Sequence, residues 1–195
     1  MPALTPAQTI GPYSAFSLTP HERAKNYPWR AVANENLATD DAIGERIRIE
    51  GRVSNAAGKP HLRTLLEFWQ ADAEGRYAHP RDARTRPNSS FRGFGRAETD
   101  ATGCYAFETI KPGPVPGPGG RIQAPHILVA IHSPYLLTHL CSRIYFEDEG
   151  ANVHDPVLAL VPADRRQTLL ARKNGGTYRM DFVTQGENET VFFDF

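Results

Sequence analysis

The chain has 195 residues, of which 40% are hydrophobic and 10% aromatic, and this is enough for one well-buried domain. Lysine and arginine together number 22, as do aspartate and glutamate, so the formal net charge of zero excludes a strong global field that would recruit nucleic acid or an anionic membrane. No stretch approaches the roughly 18 consecutive apolar residues of a membrane span, and the N-terminus lacks the pattern of a signal peptide. We expect a single cytoplasmic domain over residues 1–195, with residues 1–45 as an N-terminal arm.

The first half of the chain has the pattern of short β-strands separated by turns. Residues 46–54 (RIRIEGRVS) place Ile47, Ile49 and Val53 on one face and charged residues on the other, which is the period of a half-buried strand. Glycine-containing turn signals follow. Three further strand-like runs occupy residues 65–72, 94–100 and 104–110.

The second half continues the pattern and adds one helix. Strand-like runs occupy residues 126–133, 138–146 and 177–185, and the final ETVFFDF has a similar composition. Residues 162–173 (PADRRQTLLARK) begin with proline, end with basic residues and are followed by two glycines, which predicts a short helix. The fold class expected is therefore all-β: a β-sandwich of seven to eight strands with long loops and one short helix in the C-terminal half.

Two features that could mark a binding site are interpreted as structural. Arginines cluster between Arg76 and Arg96, but without net positive charge or a nucleic-acid-binding motif this stretch predicts a solvated or interface loop. Cys104 and Cys141 lie in strand-like runs without a CxxC spacing. They predict buried thiols rather than a disulfide or a metal pair.

The most informative stretch is residues 111–132, where a loop rich in proline and glycine leads into a strand that begins with His126. Alternation places Leu128 and His132 on the same face as His126. A metal-binding strand would need two histidines two residues apart on that face, and Leu128 stands at the second place. The loop offers no tyrosine, aspartate or glutamate between residues 111 and 124, and Val115 stands where such a side chain could lie. A lone histidine in an apolar strand is most often a hydrogen-bonded core residue.

An ordered set of segments resembles the intradiol ring-cleaving dioxygenases over nearly the whole chain. These segments are IGERIRIEGRV, LEFWQADAEGRY, GRAETDATGCYAFETIKPGP, APHI, RIYFEDE and YRMDFVTQGENETVFFDF. The resemblance implies a β-sandwich in which two tyrosinates, two histidines and a solvent molecule hold a non-haem Fe(III) that activates a catechol-type substrate toward O₂. Matched by position, Tyr77 and His126 are retained ligands, whereas Val115 and Leu128 replace the second tyrosinate and the second histidine.

The losses at Val115 and Leu128 imply that this chain holds no metal and has no catalytic residue of its own. Some members of the family are built from two homologous subunits, an alpha chain that has lost the iron site and a beta chain that keeps it, and this chain resembles the former. The expected partners are thus an iron-carrying beta subunit, a small aromatic substrate and O₂. By the same resemblance Thr9, Gly11, Pro12 and Tyr13 are expected to line the substrate cleft of the partner.

Two other functions remain open on the sequence. The chain could be an inert binding or scaffold module whose degenerate cleft binds an aromatic acid or a protein. It could instead be a self-sufficient metalloenzyme that uses replacement ligands such as His132, Tyr135 or His139. Iron content separates the metalloenzyme from the other two, and oxygen uptake after mixing with a beta chain separates the subunit from the scaffold.

Overall fold

The computed structural model describes residue 33 and residues 35–84 and 90–194. These residues form eleven strands and four short 3₁₀ helices. The strands are β1 Arg46–Ser54, β2 Leu65–Trp69, β3 Phe94–Glu98, β4 Cys104–Ile110, β5 Val115–Pro116, β6 Ile122–Gln123, β7 His126–His132, β8 Leu140–Phe146, β9 Leu170–Asn174, β10 Thr177–Arg179 and β11 Phe182–Val183. The 3₁₀ helices are Pro118–Gly120, Gly150–His154, Leu158–Leu160 and Arg166–Leu169.

The strands build two walls of a sandwich. One wall is β8–β7–β2–β3, with antiparallel neighbours throughout, and the other is formed by β4, β1, β10 and β11. Strand β9 joins them, because it pairs parallel with β8 and antiparallel with β10. A separate two-stranded ribbon, β5–β6, lies in the proline-rich loop that precedes β7. The expected β-sandwich is confirmed.

Aromatic rings from the two walls meet in the core. Phe68 on β2 stacks on Phe107 on β4 with ring centroids 3.7 Å apart, and both side chains are fully buried. Phe146 on β8 meets Tyr178 on β10 edge to face at 4.9 Å. The alternation predicted for residues 46–54 and 126–133 is observed, since every second residue of β1 and β7 points into this core.

The predicted helix over residues 162–173 is wrong for most of its length. Only Arg166–Leu169 is helical, as one 3₁₀ turn, and residues 170–174 form β9. Ala171 is fully buried opposite Phe146 of β8, so pairing with two neighbouring strands outweighs local helix propensity. The two glycines interpreted as a helix end instead form the β9–β10 hairpin turn, where Gly175 has a φ of 62°.

Other differences from the predicted elements are smaller. Residues 177–185 form two short strands rather than one, and the C-terminal run is not a strand within the described residues, although the Phe193 N–H donates to the Cys141 carbonyl at 2.8 Å. Both cysteines are free thiols as expected, but Cys104 is exposed and Cys141 partly exposed, so the prediction of burial is wrong. No helix in the described part of the chain has the length and apolarity to cross a membrane.

The last residues of the predicted N-terminal arm are fixed against β4. The Glu108 N–H donates to the Glu35 carbonyl and the Leu37 N–H donates to the Glu108 carbonyl, both at 2.7 Å. Leu37 and Ala38 are buried in the main core. Residues 35–38 thus run along the edge of β4.

Candidate functional site

The face of β2, β7 and β8 that points away from the main core carries a compact group of side chains. His126 and Leu128 of β7 lie directly opposite Tyr145 and Arg143 of β8, and Leu128 also lies opposite Trp69 of β2. Directly opposed residues of paired strands share a face, with Cβ atoms about 5 Å apart. Two of the four positions singled out from the sequence therefore lie in one patch with Arg143.

The other two positions, Tyr77 and Val115, lie on loops that are packed backbone to backbone. The Gly113 N–H donates to the Asp72 carbonyl at 2.9 Å. A Cβ added to Gly75 would lie 1.9 Å from the Pro114 carbonyl oxygen, and one added to Gly113 would lie 2.4 Å from the Ala73 carbonyl oxygen. Only glycine permits this approach, which holds the segment before Tyr77 against the loop that carries Val115.

Val115 is buried on β5 and pairs with Gln123 on β6. The two strands close over the patch on β7 and β8, because the side chain of Gln123 accepts a hydrogen bond from the Arg143 guanidinium at 2.7 Å. The Gln123 amide in turn donates to the Pro116 carbonyl at 3.2 Å. We call Tyr77, Val115, His126 and Leu128 the remnant positions. Leu128 lies directly opposite Arg143, and the charge of Arg143 acts on Tyr77 and His126.

Tyr77 is a partly buried phenol rather than a prepared tyrosinate. Its ring stacks nearly parallel on Trp69 with centroids 5.8 Å apart, and its backbone N–H donates to Asp82 at 2.8 Å. Burial raises the pKa of Tyr77, and the nearby positive charge of Arg143 opposes that rise only in part. The neutral phenol is thus the stable form near neutral pH.

His126 is the buried, hydrogen-bonded histidine that its apolar strand predicts. Its Nδ1 lies 2.8 Å from the Ala124 carbonyl, which can only accept, so Nδ1 carries the proton and Nε2 has the free electron pair. Its ring lies 5.5 Å from that of Tyr145. Burial, together with the smaller effect of the Arg143 charge in the same direction, lowers the pKa of His126 to about 4.

Arg143 occupies the centre of this group and is held by neutral partners. Its NH1 donates to Gln123 and also to the Tyr145 hydroxyl at 3.1 Å, and Tyr145 donates to Asp155 at 3.2 Å. Asp155 is buried and accepts three backbone N–H groups at 2.7–2.8 Å, from Ala124, Val157 and Leu158. These hydrogen bonds connect β6 and β8 with residues 155–157, which lie between two of the 3₁₀ helices.

A cleft of about 540 Å³ opens beside Tyr77. Trp69, Tyr77 and Pro116 form part of its wall, and the polar residues of the 79–84 loop form the rest. Two arginines of the 76–96 stretch, Arg84 in this loop and Arg96 on β3, lie against carboxylates. Arg84 pairs with Asp82 at 2.6 Å and Arg96 with Glu67 at 2.7 Å, so these charges are already neutralised.

Comparison with known proteins places this geometry in a family. The sequence profile described as Dioxygenase (Dioxygenase_C) matches residues 22–186. The chain belongs to the intradiol dioxygenase family. It is 40% identical over 198 aligned residues to the protocatechuate 3,4-dioxygenase alpha chain of Burkholderia cepacia, with 97% of this chain and 96% of the relative covered.

Two further comparisons bear on the partner and on the fold. The chain is 36% identical to the protocatechuate 3,4-dioxygenase beta chain of the same organism, with 91% of this chain and 77% of the relative covered. Among solved structures, it resembles the dioxygenase domain of a dioxygenase and carbohydrate-binding protein fusion from Streptomyces sp. SirexAA-E. That match has a TM-score of 0.59 and 26% identity, and it covers 85% of this chain and 96% of the other.

The side chains at the remnant positions do not fit the Fe(III) that intradiol dioxygenases use. Val115 and Leu128 have no donor atom, which leaves at most the neutral Tyr77 phenol and His126 Nε2. A ferric ion requires anionic oxygen ligands, whereas the positive charge of Arg143 acts on both Tyr77 and His126. Among the described residues, no group of three or more His, Cys, Asp or Glu side chains is arranged to hold a metal.

The replacement ligands considered from the sequence lie elsewhere. His132 is six residues along β7 from His126, or roughly 20 Å at the rise of a strand. It contacts Glu67 at 3.3 Å and stacks on His139 with ring centroids 5.3 Å apart. Tyr135 packs on His61. These residues do not converge on the remnant positions, which argues against a self-sufficient metal centre.

Sequence reasoning missed Arg143, Gln123 and Asp155. A signal for the first was present, because Arg143 and Tyr145 stand two residues apart in an apolar strand and must share a face. Gln123 and Asp155 lie in segments without periodicity, and only the folded chain brings them to Arg143. Thr9, Gly11, Pro12 and Tyr13 fall outside the described residues.

Proposed function

We propose that this chain is the alpha subunit, the one without iron, of a protocatechuate 3,4-dioxygenase. The assembly would cleave the ring of protocatechuate between its two hydroxyls with O₂ and yield 3-carboxy-cis,cis-muconate. The observation that carries this proposal is the near full-length similarity to an alpha chain, combined with the lack of any donor atom in the side chains of Val115 and Leu128. Without selection for this fold, a chain that had lost its reactive centre would not keep the whole scaffold of the family.

The iron of the assembly is proposed to belong to a homologous beta subunit. The similarity of this chain to a beta chain supports such a partner, because two subunits with one fold can pair through equivalent surfaces. This chain would contribute to assembly and to the walls of the partner's substrate cleft. Two free cysteines are consistent with the cytoplasm, where we propose that the assembly works.

The segment proposed to reach the partner is the N-terminal arm, residues 1–45, through Thr9, Gly11, Pro12 and Tyr13. Glycine and proline together let a backbone run close to a ligand, and Thr9 can offer a hydroxyl. The fixed contact of residues 35–37 with β4 supports this proposal, since it ties the base of the arm to the sandwich. The arm can then act on a partner without a change in the domain.

The first test is iron content. Expressed alone, the full chain should be colourless and free of iron, because no anionic ligand is available at the remnant positions. Metal analysis and visible absorption are the measurements. Nearly one iron per chain together with a tyrosinate-to-iron band would overturn the proposal.

The second test removes the arm from the assembled enzyme. With residues 1–12 deleted and the chain co-expressed with a beta chain, assembly and iron should persist, while kcat/KM should fall about tenfold or more because the segment positions the substrate. Size exclusion, metal analysis and steady-state oxygen uptake measure the three properties. Deletion of residues 1–5 is the matched control, since it shortens the arm but keeps Thr9 to Tyr13.

Three results would separate this function from the alternative of an inert binding module. Co-elution with the beta chain and a loss of kcat/KM specific to the longer deletion support the subunit. Separate elution of the two chains at micromolar concentration supports the inert module. Unchanged kinetics in an intact assembly show that the arm lies away from the cleft.

A further inference from the structure

The turn between β9 and β10 carries an asparagine followed by a glycine. Asn174 ends β9, Gly175 and Gly176 form a two-residue turn, and Thr177 begins β10 directly opposite Asn174. This is the one Asn-Gly pair in the whole sequence. Gly175 has a φ of 62°, in the left-handed region that a tight hairpin turn requires.

The groups of this pair that can react with each other are exposed and unengaged. Asn174 and both glycines are exposed, and a Cβ added to either glycine would meet no atom within 4 Å. Within the described residues the Asn174 side chain makes no hydrogen bond, and the Gly175 N–H donates to no backbone carbonyl. Packing around the turn therefore leaves room for the Gly175 nitrogen to meet the Asn174 side-chain carbonyl carbon.

Two other asparagines that the structure describes are held by their side chains. The Asn55 Oδ1 accepts two backbone N–H groups, both at 3.0 Å. The Asn152 Nδ2 donates to the Phe146 carbonyl at 2.7 Å. Each of these asparagines is followed by a residue with a Cβ, which crowds the backbone nitrogen. Asn174 differs from both in its hydrogen bonding and in its neighbour.

The turn must leave its strand conformation briefly for the two groups to react, and few contacts oppose this. Strand β10 has only three residues. A hydrogen bond from the Arg48 N–H to the Gly176 carbonyl ties the turn to β1, at the long distance of 3.3 Å. Exposed loop tips with few contacts open at a small free-energy cost.

We infer that Asn174 is a site of spontaneous modification by deamidation, with water as the co-reactant. The Gly175 nitrogen attacks the Asn174 side-chain carbonyl carbon, the new N–C bond closes a cyclic imide, and the side-chain nitrogen leaves as ammonia with the proton that Gly175 loses. Water then opens either carbonyl of the imide and yields aspartate or isoaspartate. No electron is transferred. The inference goes beyond the proposed subunit function and holds whichever partner the chain has.

The modification would place a negative charge in a row of polar side chains. Asn174, Thr177 and Arg48 lie opposite one another across β9, β10 and β1, so they share the outer face of this wall. Arg48 already contacts Glu50 at 3.4 Å and Glu108 at 3.6 Å. Isoaspartate also lengthens the backbone by a methylene group, which disturbs the register of β9 against β10. The strand affected is the one that pairs with both walls.

Peptide mapping of the purified full chain by mass spectrometry tests the inference. During incubation in mildly alkaline buffer, the peptide that contains Asn174 should gain about one dalton, because oxygen replaces the amide nitrogen. The rate should rise with pH, since the Gly175 nitrogen must lose its proton. Labelling by an isoaspartyl methyltransferase detects the isoaspartate product. Digestion in heavy-oxygen water marks any conversion that occurs during digestion itself.

Two matched glycine variants test the geometry of the turn. Gly175→Ala places a Cβ beside the attacking nitrogen and should slow conversion about tenfold or more. Gly176→Ala adds the same methyl group into equally open space, keeps the Asn-Gly pair and should leave the rate within about twofold. Alanine at position 175 is strained by the positive φ, so Asn174→Gln is a further variant. Glutamine cannot close the same ring, and residue 174 should then stay unconverted.

The outcomes either support or overturn the inference. Conversion at Asn174 in the unmodified chain and in Gly176→Ala, with slow conversion in Gly175→Ala, supports it. It is overturned if Asn55 or Asn152 converts as fast as Asn174, if the two glycine variants convert at equal rates, or if Asn174 converts only after the chain is unfolded in urea. These readouts do not involve iron or oxygen uptake, so their failure is distinguishable from a failure of the proposed function.

Discussion

The two faces of strand β7 are subject to different constraints. Its inward face, formed by Ile127, Val129 and Ile131, is buried in the main core together with Phe68 of β2. Its outward face carries His126 and Leu128, which we propose correspond to metal-ligand positions of the family. The inward face packs in the sandwich core, whereas the outward face borders the polar network of Arg143.

This difference shows that fold and metal chemistry are separable in a β-sandwich. Side chains of a strand alternate, so a change of ligand on one face leaves the packing of the other face intact. The loss of a metal centre that we propose for this chain would leave buried polar groups that require new partners. In this chain Arg143, Gln123, Tyr145 and Asp155 supply them.

The largest expected effect comes from breaking the inward face. Phe68→Ala should destabilise the chain by about 3–5 kcal/mol, because it removes a fully buried ring stacked at 3.7 Å on Phe107 and leaves a cavity. Urea unfolding measures the change. Phe94→Ala on the neighbouring strand, where the ring is only half-buried, is the control. If the two variants lose the same unfolding free energy, burial in the main core does not make Phe68 more important for stability than Phe94.

The next effect tests the outward face through Asp155. Asp155→Ala should cost about 2–4 kcal/mol, since it leaves buried N–H groups of Ala124 and Leu158 without an acceptor and frees Tyr145. Asp164→Ala, an exposed carboxylate nearby, should change stability by less than about 0.5 kcal/mol. Chemical unfolding of the two variants side by side is the measurement. A neutral Asp155 variant would show that the outward network adds nothing to stability.

A smaller effect is a pH dependence that originates at His126. Its pKa is about 4 in the folded chain, mainly through burial, against 6.5 in an unfolded one, so the unfolded chain binds the proton first as the pH falls. The free energy of unfolding is therefore unaffected by His126 above pH 6.5. It falls between pH 6.5 and 4, by up to about 3 kcal/mol. The groups around it are Arg143, Tyr145 and Asp155.

His126→Gln should remove this part of the pH dependence, whereas His132→Gln, a partly exposed histidine on the same face of β7, should keep it. Thermal unfolding across pH 4–7 compares the three proteins. Equal slopes for the His126 variant and the unmodified chain would mean that other groups cause the dependence.

The smallest effect is expected at Tyr77. Its hydroxyl makes no hydrogen bond within the described residues, so Tyr77→Phe should change stability by less than about 0.5 kcal/mol. It should also leave oxygen uptake by the assembled enzyme within about twofold, because this phenol serves no metal in this chain.

Tyr105→Phe is the matched control, because the Tyr105 hydroxyl is buried and donates to the Met180 carbonyl at 2.7 Å. Its loss should cost about 1–2 kcal/mol. A fall in turnover by orders of magnitude for an iron-replete Tyr77 variant would mean that the remnant position is functional.

The outcome for individual elements shows where sequence reasoning succeeds. The long strands β1, β4, β7 and β8 are predicted nearly to the residue. Strands β1, β4 and β7 alternate between core and surface along most of their length, whereas β8 is buried over its last five residues. Strand β9 is mistaken for a helix, since its five residues carry helix-forming side chains and acquire their strand conformation from β8 and β10. The two-residue strands β5 and β6 are too short to have any period.

The sequence by itself determined the all-β class, the family, the face on which His126 and Leu128 lie, and the absence of donor atoms at Val115 and Leu128. These depend on residue identity and on the two-residue repeat of a strand, which are local properties. Only the tertiary structure decided which residues form the polar network beside these positions. Arg143, Gln123 and Asp155 are as many as 32 positions apart in the chain, and their meeting depends on loop packing at Gly75 and Gly113 and on the β7–β8 register. Those long-range contacts leave no periodic signal in the sequence, because they are selected by the shape of the pocket rather than by the conformation of any single segment.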